Sequence, residues 1–123
     1  MARILVGEDE PLVRGLLTLM LELDGHEVTA VADGEAALAS FLDGPPFDLA
    51  VIDVRMEKLS GLEALERAAQ AGRPVRALVL TGDEDDEAVA TAARRLSARL
   101  RAKPIGRVEL LAEVHALLGK VEA

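Results

Sequence analysis

The stretch Leu49-Ala50-Val51-Ile52-Asp53 decides the fold class of this chain. Four consecutive apolar residues end at an acid, and the run follows a Gly44-Pro45-Pro46 break. A short, wholly apolar run bounded by turn residues is typical of a strand that is covered on both faces. We therefore predict a buried strand over residues 47–53, and this predicts a parallel sheet with helices on each side.

Strand-like and helix-like segments alternate on both sides of this run. The predicted strands cover residues 3–7, 26–31, 47–53, 75–81 and 98–103. The predicted helices cover the 12 residues after Pro11, residues 35–42 and 60–71, a segment headed by the acids at 83–87, and a last segment ending at Gly119. In the first helix the apolar positions Leu12, Leu16, Leu19 or Met20, and Leu23 repeat at helical spacing. Strict alternation predicts a doubly wound α/β fold with five parallel strands and five helices in three layers.

The composition limits the classes of protein to which this chain can belong. A chain of 123 residues, half of them hydrophobic, predicts one domain over residues 1–123 with a sizeable core. It has no cysteine, no signal-peptide pattern and no apolar stretch that could span a membrane, so we expect a cytoplasmic protein. A formal charge of −8 and the absence of Trp and Tyr argue against direct binding of nucleic acid.

Chemically active side chains stand at the ends of four predicted strands. Glu8 and Asp9 follow the first strand, Asp53 ends the third, Thr81 ends the fourth and Lys103 ends the fifth. Ligands of doubly wound sheets bind beyond the carboxyl ends of the strands, so we expect these side chains to converge. Clustered carboxylates take up protons or bind a hard cation, and a site with so few protein ligands suits Mg²⁺. Lysine adds a positive charge and threonine a hydroxyl donor.

These residues resemble the receiver family of two-component signalling, and the resemblance runs over essentially the whole chain. The matching motifs are Ile4-Leu5-Val6-Gly7-Glu8-Asp9, Leu49-Ala50-Val51-Ile52-Asp53, Gly61, Leu80-Thr81-Gly82 and Lys103-Pro104. Each motif alone is weak, whereas all of them in order form a specific signal. The resemblance implies a single flavodoxin-like receiver domain.

The resemblance also implies a role for each residue at the strand ends. Asp53 is the phosphoacceptor, and Asp9, Asp53 and the backbone carbonyl of Arg55 ligate Mg²⁺. Glu8 acts on the metal through water, while Lys103 and Thr81 hold phosphoryl oxygens. The phosphodonor is a histidine kinase, a histidine phosphotransfer protein or a small acyl phosphate. The output is binding of a protein target that the sequence does not identify, and the chain catalyses only its own phosphorylation and dephosphorylation.

The sequence departs from the family pattern at the switch. Leu100 stands where the family usually has a Tyr or Phe that rotates inward when the threonine moves, so the relay to the output face is in question. Arg55 and Asp83 occupy two positions that tune the loss of the phosphoryl group in the family. We expect their opposite charges either to pair across the mouth of the pocket and restrict water or to remain solvated.

A basic segment near the end of the chain has two interpretations. Residues 88–108 contain no acid, and Arg94, Arg95, Arg99 and Arg101 lie on the predicted fourth helix and fifth strand. These arginines either protect an edge strand and aid solubility or form a charged docking or dimer surface. His26 and His115 lack nearby ligand partners in the sequence, and we interpret both as structural or surface residues.

Three other functions compete with the receiver interpretation. A receiver-fold adaptor would bind a partner without phosphorylation through the last two helices and the last strand, and Leu100 makes this plausible. A phosphatase of the haloacid dehalogenase type needs a second acid two residues after its nucleophile, where this chain has Arg55. A flavodoxin-like electron carrier needs a hydroxyl-rich phosphate loop, whereas Glu8-Asp9-Glu10 would repel the phosphate of FMN. Charge disfavours the last two.

Overall fold

Five strands and five helices alternate along the chain, as the apolar pattern predicts. The computed structural model describes residues 1–119. The strands are β1 (Arg3–Gly7), β2 (Glu27–Val31), β3 (Leu49–Asp53), β4 (Ala77–Thr81) and β5 (Arg99–Ala102). The helices are α1 (Pro11–Leu23), α2 (Gly34–Leu42), α3 (Gly61–Gln70), α4 (Glu87–Arg95) and α5 (Arg107–Leu118).

Several predicted boundaries are off by one or two residues because a terminal residue completes the neighbouring helix. The N–H of His26 donates to Leu21 O and closes the end of α1, so β2 begins at Glu27. The N–H of Ala98 likewise donates to the end of α4, and β5 begins one residue later. Ser60 is the N-cap of α3, where its Oγ accepts the Glu63 N–H at 3.1 Å. Side-chain and backbone bonds of this kind do not alter the apolar pattern, so the pattern misses them.

All five strands are parallel and lie in the order β2-β1-β3-β4-β5. The prediction of a doubly wound parallel sheet is confirmed, and so is the edge position of β5. Strand order reverses around β1, which pairs with both β2 and β3. A crevice therefore opens beyond the carboxyl ends of β1 and β3, and this is where such sheets place their ligands.

Side chains that alternate along the strands supply two separate cores. Leu5, Ile52 and Val79 face the layer of α2, α3 and α4, in which Phe41 is the largest buried side chain. Ile4 and Val51 face the opposite layer of α1 and α5. Because both faces are covered, β3 and β4 are buried along their whole length, which explains their unbroken apolar sequences.

Helix α1 is formed as predicted, but the leucines whose spacing predicts it do not pack against the sheet. Leu17, Met20 and Leu21 are the buried residues of this helix. Leu12, Leu16, Leu19 and Leu23 are exposed. Apolar residues surround most of α1, so periodicity alone could not assign the buried face.

Candidate functional site

Three carboxylates meet in the crevice beyond β1 and β3. Oxygen atoms of Glu8, Asp9 and Asp53 all lie within 4.8 Å of one another. Glu8 is fully buried and Asp53 nearly so, whereas Asp9 is exposed to solvent. Negative charges this close in a partly buried site repel one another unless cations compensate them. The predicted convergence of these three side chains is therefore present in the fold.

Lys103 supplies one compensating charge. Its Nζ lies 2.6 Å from Asp53 Oδ2 and 3.1 Å from Glu8 Oε1. The residue follows directly after β5, and its N–H donates to Thr81 O at 2.8 Å, which fixes its backbone beside β4. Burial by itself would lower the pKa of the Lys103 ammonium, but the hydrogen bonds to Asp53 and Glu8 outweigh it and raise the pKa above its ordinary value.

The environment of Glu8 disfavours the charged form of its carboxyl. Its burial raises the pKa of the carboxyl above the ordinary value. The Glu10 N–H, which donates to Glu8 Oε2 at 3.1 Å, and the Lys103 ammonium both act in the opposite direction. A fully buried carboxylate that shares a lysine with Asp53 costs free energy, and a further cation in the crevice would offset that cost.

The backbone around Asp53 is held by its own loop and by α3. The N–H of Arg55 donates to Asp53 Oδ1 at 3.1 Å, and the N–H of Gly61 donates to Val54 O at 3.0 Å. A Cβ atom at Gly61 would lie 2.2 Å from the carbonyl oxygen of Asp53. Only glycine lets the first turn of α3 come this close to the acid, which explains the glycine eight residues after it.

Thr81 ends β4 and its side chain is turned toward the following loop. Its Oγ1 donates to Asp83 O at 3.3 Å and accepts the Asp83 N–H at 3.1 Å. The residue is buried, at 4 % exposure. The hydroxyl is thus engaged by the β4–α4 loop rather than by Asp53, and a new acceptor in the crevice would compete with this loop for it.

The donor set of the crevice fits a hard divalent cation. The carboxylates of Glu8, Asp9 and Asp53 provide oxygen ligands, and the described residues place no histidine or cysteine among them. Mg²⁺ takes a few carboxylates together with water and phosphate oxygens, which matches an open site with one solvent-exposed acid. Ligation of the cation by the backbone carbonyl of Arg55 stays a prediction.

The two predicted tuning residues do not contact each other. Both Arg55 and Asp83 are exposed. Among residues 1–119, no ion pair joins these two side chains. Asp83 Oδ1 instead accepts the Asp85 N–H at 3.0 Å, which stabilises the loop in which it lies. In this structure the two side chains are separately solvated.

Leu100, at the predicted switch position, contacts one of the two hydrophobic cores. Leu100 is in the middle of β5, is partly buried and packs against the cluster beneath α2, α3 and α4. Its side chain has no polar group to follow the hydroxyl of Thr81. Any change at Thr81 must therefore reach β5 through packing or through the backbone contact between Lys103 and Thr81.

The four arginines of the basic segment divide into two pairs with different environments. Arg94 and Arg95 are exposed at the end of α4. Arg99 and Arg101, which the alternation on β5 predicts to face water, both bind the buried carboxylate of Glu113 on α5. Of the two interpretations, the docking surface of all four arginines therefore needs a correction, because Arg99 and Arg101 neutralise an internal acid, although Arg99 is still exposed to water.

A second cluster of titratable groups lies at the opposite end of the sheet, and sequence reasoning missed it. Asp24, the C-cap of α1, places Oδ2 at 2.8 Å from His115 Nε2 on α5 and at 3.2 Å from His26 Nε2. The His115 hydrogen bond is the main reason that the pKa of Asp24 is lowered. The Ala2 N–H donates to His26 Nδ1 at 3.2 Å, so the ring proton belongs on Nε2, facing Asp24.

This tautomer favours a hydrogen-bonded cluster over a metal site. A metal at His26 Nε2 would need the proton on Nδ1, where the N–H of Ala2 already points. The interpretation of His26 and His115 as structural residues is therefore supported, and Asp24 is the partner that joins them. Asp24 lies only two positions before His26, but local spacing could not reveal its contact with His115, which is 91 positions further along the chain.

Comparison with known proteins identifies relatives over nearly the whole chain. The profile of the response regulator receiver domain matches residues 4–115. The response regulator MprA of Mycobacterium sp. (strain KMS) is 38% identical over 117 residues, which are 94% of this chain and 50% of that protein. The chain spans half or less of the length of the curated regulators that it matches.

Solved structures share the fold. The response regulator TrrA of Thermotoga maritima, solved in complex with Mg²⁺-BeF, is 30% identical with a TM-score of 0.83, covering 95% of this chain and 99% of that one. A CheY-like receiver domain protein of Methanospirillum hungatei JF-1 is 25% identical with a TM-score of 0.88, covering 99% and 97%. Within residues 1–119, none of the helices combines the length and apolar character that a bilayer crossing requires.

Proposed function

The chain belongs to the response regulator receiver domain family, and from that premise we propose that Asp53 accepts a phosphoryl group from a histidine kinase or a histidine phosphotransfer protein in a Mg²⁺-dependent reaction. The observation that carries this proposal is the position of Asp53, between the Lys103 ammonium at 2.6 Å and the carboxylates of Glu8 and Asp9. A carboxylate held next to one cation and a cation-binding acid cluster is arranged for attack on phosphorus.

The proposed step is a direct displacement. A carboxylate oxygen of Asp53 attacks the phosphorus of a phosphohistidine, a P–O bond forms, the P–N bond breaks, and the imidazole that leaves takes up a proton. With a small acyl phosphate the bond that breaks is P–O, and the leaving group is a carboxylate. The protein contributes position and charge neutralisation, which is most of what phosphoryl transfer requires.

Each neighbour has a distinct part in this reaction. Asp9, Asp53 and the carbonyl of Arg55 would hold Mg²⁺ directly and Glu8 would hold it through water, and the ion would neutralise phosphoryl oxygens. Lys103 would exchange its contact with the Asp53 carboxylate for one with the phosphoryl group. Thr81 would release the backbone of Asp83 and donate its hydroxyl to a phosphoryl oxygen.

The output of this module is a change in protein binding. Phosphorylation adds about 1.5 to 2 negative charges beside Lys103 and Thr81, and movement of Thr81 would alter the β4–α4 loop and the adjoining surface of α4 and β5. The exposed Arg94 and Arg95 would lie on that surface, and a dimer through it is one form that the output could take. We propose that this receiver domain acts in the cytoplasm on a downstream protein and does not contact DNA itself.

Intact-mass spectrometry tests the chemistry. Wild type incubated with acetyl phosphate and Mg²⁺ should gain the mass of one phosphoryl group, and Asp53→Asn should gain none. Asp48→Asn is a matched control, because Asp48 is an exposed acid directly before β3, at the opposite end of that strand from Asp53. Addition of EDTA should abolish the gain in wild type. If wild type gains no mass while remaining folded, the phosphorylation-independent adaptor replaces this proposal.

A further inference from the structure

The β3–α3 loop, residues 54–60, carries a backbone group that the proposed function assigns to Mg²⁺. Asp9 and Asp53 would bind the ion through carboxylates that can rotate, whereas the carbonyl of Arg55 can move only with its loop. Mg²⁺ requires near-octahedral geometry, so a small displacement of one ligand weakens its binding. The contacts that fix this loop therefore contribute to the affinity of the crevice for the cation.

The two ends of the loop are fixed by the sheet and by the core. Val54 donates its N–H to Leu80 O at 2.9 Å, and its side chain is buried. Leu59, near the other end, buries its side chain in the same core as Val54. Of residues 55–58, which lie between these points, Met56 packs against the core and the other three expose their side chains. Side-chain burial therefore holds the ends of the loop more firmly than its middle.

The first residue of α2 makes a backbone contact with the middle of the loop. The N–H of Gly34 donates to Glu57 O at 3.3 Å, and within residues 1–119 this is the one backbone–backbone hydrogen bond that joins residues 55–58 to another element. A Cβ atom at Gly34 would lie 1.8 Å from the carbonyl oxygen of Leu59. Gly34 does not have a positive φ angle, so close approach to the loop, rather than backbone conformation, explains the glycine.

A charged contact lies beside this backbone contact. Asp33 is the N-cap of α2, where its Oδ1 accepts the Ala36 N–H at 2.8 Å, and its Oδ2 lies 3.8 Å from the Nζ of Lys58. Lys58 has a φ angle of 72°, a conformation that favours glycine and marks a tight turn of the loop at this residue. An exposed ion pair contributes little by itself, so Gly34 provides the stronger attachment of the loop to α2.

We propose that Gly34 is a positioning residue for Mg²⁺. Its backbone contact with Glu57 and Leu59 holds the β3–α3 loop, and with it the carbonyl of Arg55, in the position that the cation requires. Gly34 is not among the residues that would hold the ion or the phosphoryl group, so it acts through the loop. This inference rests on the proposed function, because it takes the crevice to be a Mg²⁺ site.

Titration of amide NMR signals with MgCl₂, without a phosphodonor, measures the affinity. Gly34→Ala should weaken Mg²⁺ binding by about tenfold, as does the loss of other groups that orient a metal ligand. Gly15→Ala is the matched control, because Gly15 is an exposed glycine of α1 where a Cβ atom meets nothing within 4 Å, and it should leave the affinity unchanged. Val114→Ala, on the buried face of α5, should lower the free energy of unfolding without changing the affinity, which separates positioning from general stability.

Hydrogen exchange of wild type tests the same coupling without a substitution. Saturating Mg²⁺ should slow exchange of the Gly34 N–H by about fivefold or more, because the ion and the contact with Glu57 stabilise the same position of the loop. The Asp43 N–H, which donates to Ala39 O at the other end of α2, should exchange at the same rate with and without the ion. These rates decide the question even where Gly34→Ala does not fold.

The outcomes distinguish this inference from the proposed function. Unchanged Mg²⁺ affinity in folded Gly34→Ala, or exchange of the Gly34 N–H that does not respond to Mg²⁺, would overturn the inference alone, since wild type would still bind the ion and gain a phosphoryl group. An equal loss of affinity in Val114→Ala would overturn it as well, because the effect would then follow stability. If wild type binds no Mg²⁺, the proposed function fails and this inference fails with it.

Discussion

The guanidinium of Arg99 holds the carboxylate of Glu113 through two parallel hydrogen bonds, from Nε to Oε1 and from Nη2 to Oε2, both at 3.0 Å. Arg101 donates to the same carboxylate from two positions further along β5. Glu113 is only 6% exposed on α5, so the pair of arginines neutralises an acid that the fold has almost removed from water. The edge strand is thereby attached to the last helix by charge as well as by packing.

Glu113→Gln should destabilise the fold. The amide keeps the shape of the side chain but loses the charge that two arginines share, and hydrogen bonds to charged groups are worth about 1.5–3 kcal/mol. Because Arg99 is more than half exposed, we expect a loss of about 1–2 kcal/mol in the free energy of unfolding, measured by urea denaturation. Glu109→Gln removes an exposed partner of Arg101 and should cost less than about 0.5 kcal/mol. Equal losses for the two variants would contradict the special position of Glu113.

The same ion pair predicts a pH dependence of stability. The hydrogen bond from Arg99 is the main cause that lowers the pKa of Glu113 below its ordinary value of 4.5. A carboxyl whose pKa is depressed by folding contributes stability above its unfolded pKa, and this contribution disappears as the pH falls through the folded value. When the pH is lowered from 6 to below 4.5, the free energy of unfolding of wild type should therefore fall more than that of Glu113→Gln, and thermal unfolding measures both. Parallel curves for the two proteins over that range would exclude Glu113 as a source of acid sensitivity.

The convergence of Glu8, Asp9, Asp53 and Lys103 could be predicted from the sequence because it follows from the topology of the sheet. Alternating apolar runs determine a parallel sheet, and the residue that ends each strand then falls at one edge of it, as Asp53 and Lys103 do. The contacts of Glu113 with arginines of β5 could not be predicted in this way, because they depend on which face of α5 packs beside β5. The apolar spacing of α1 correctly predicts a helix, but it could not predict the buried face, since a helix that is apolar on most sides does not reveal which side the sheet covers.

Gly61→Ala should disturb the acceptor through its backbone. The new Cβ atom would lie 2.2 Å from the carbonyl oxygen of Asp53, so either α3 or the end of β3 must move. Overpacking of this kind costs about 1–3 kcal/mol, and the displaced acid should also be phosphorylated more slowly by acetyl phosphate. Gly82→Ala is the control, because a Cβ atom there meets nothing within 4 Å. Wild-type stability and phosphorylation rate in Gly61→Ala would show that the close approach is not needed.

Arg55 and Asp83 offer a last prediction, on the lifetime of the phosphorylated state. The two exposed side chains follow Asp53 and Thr81 by two residues each, and they carry opposite charges. They form no ion pair in this structure, and we expect them to pair across the mouth of the pocket in the phosphorylated protein and to hinder attacking water. Arg55→Ala and Asp83→Ala should each shorten the half-life of phosphorylated Asp53 by about two- to fivefold, the effect of an exposed pair worth up to about 1 kcal/mol. The half-life of the double variant should be no shorter than that of either single variant, because removal of one partner already abolishes a pair.

Glu84→Ala, which removes a neighbouring exposed acid of the same loop, controls for general charge effects and should leave the half-life unchanged. Loss of radiolabelled phosphate over time measures all four variants, and additive effects in the double variant would mean that the two residues act on hydrolysis separately.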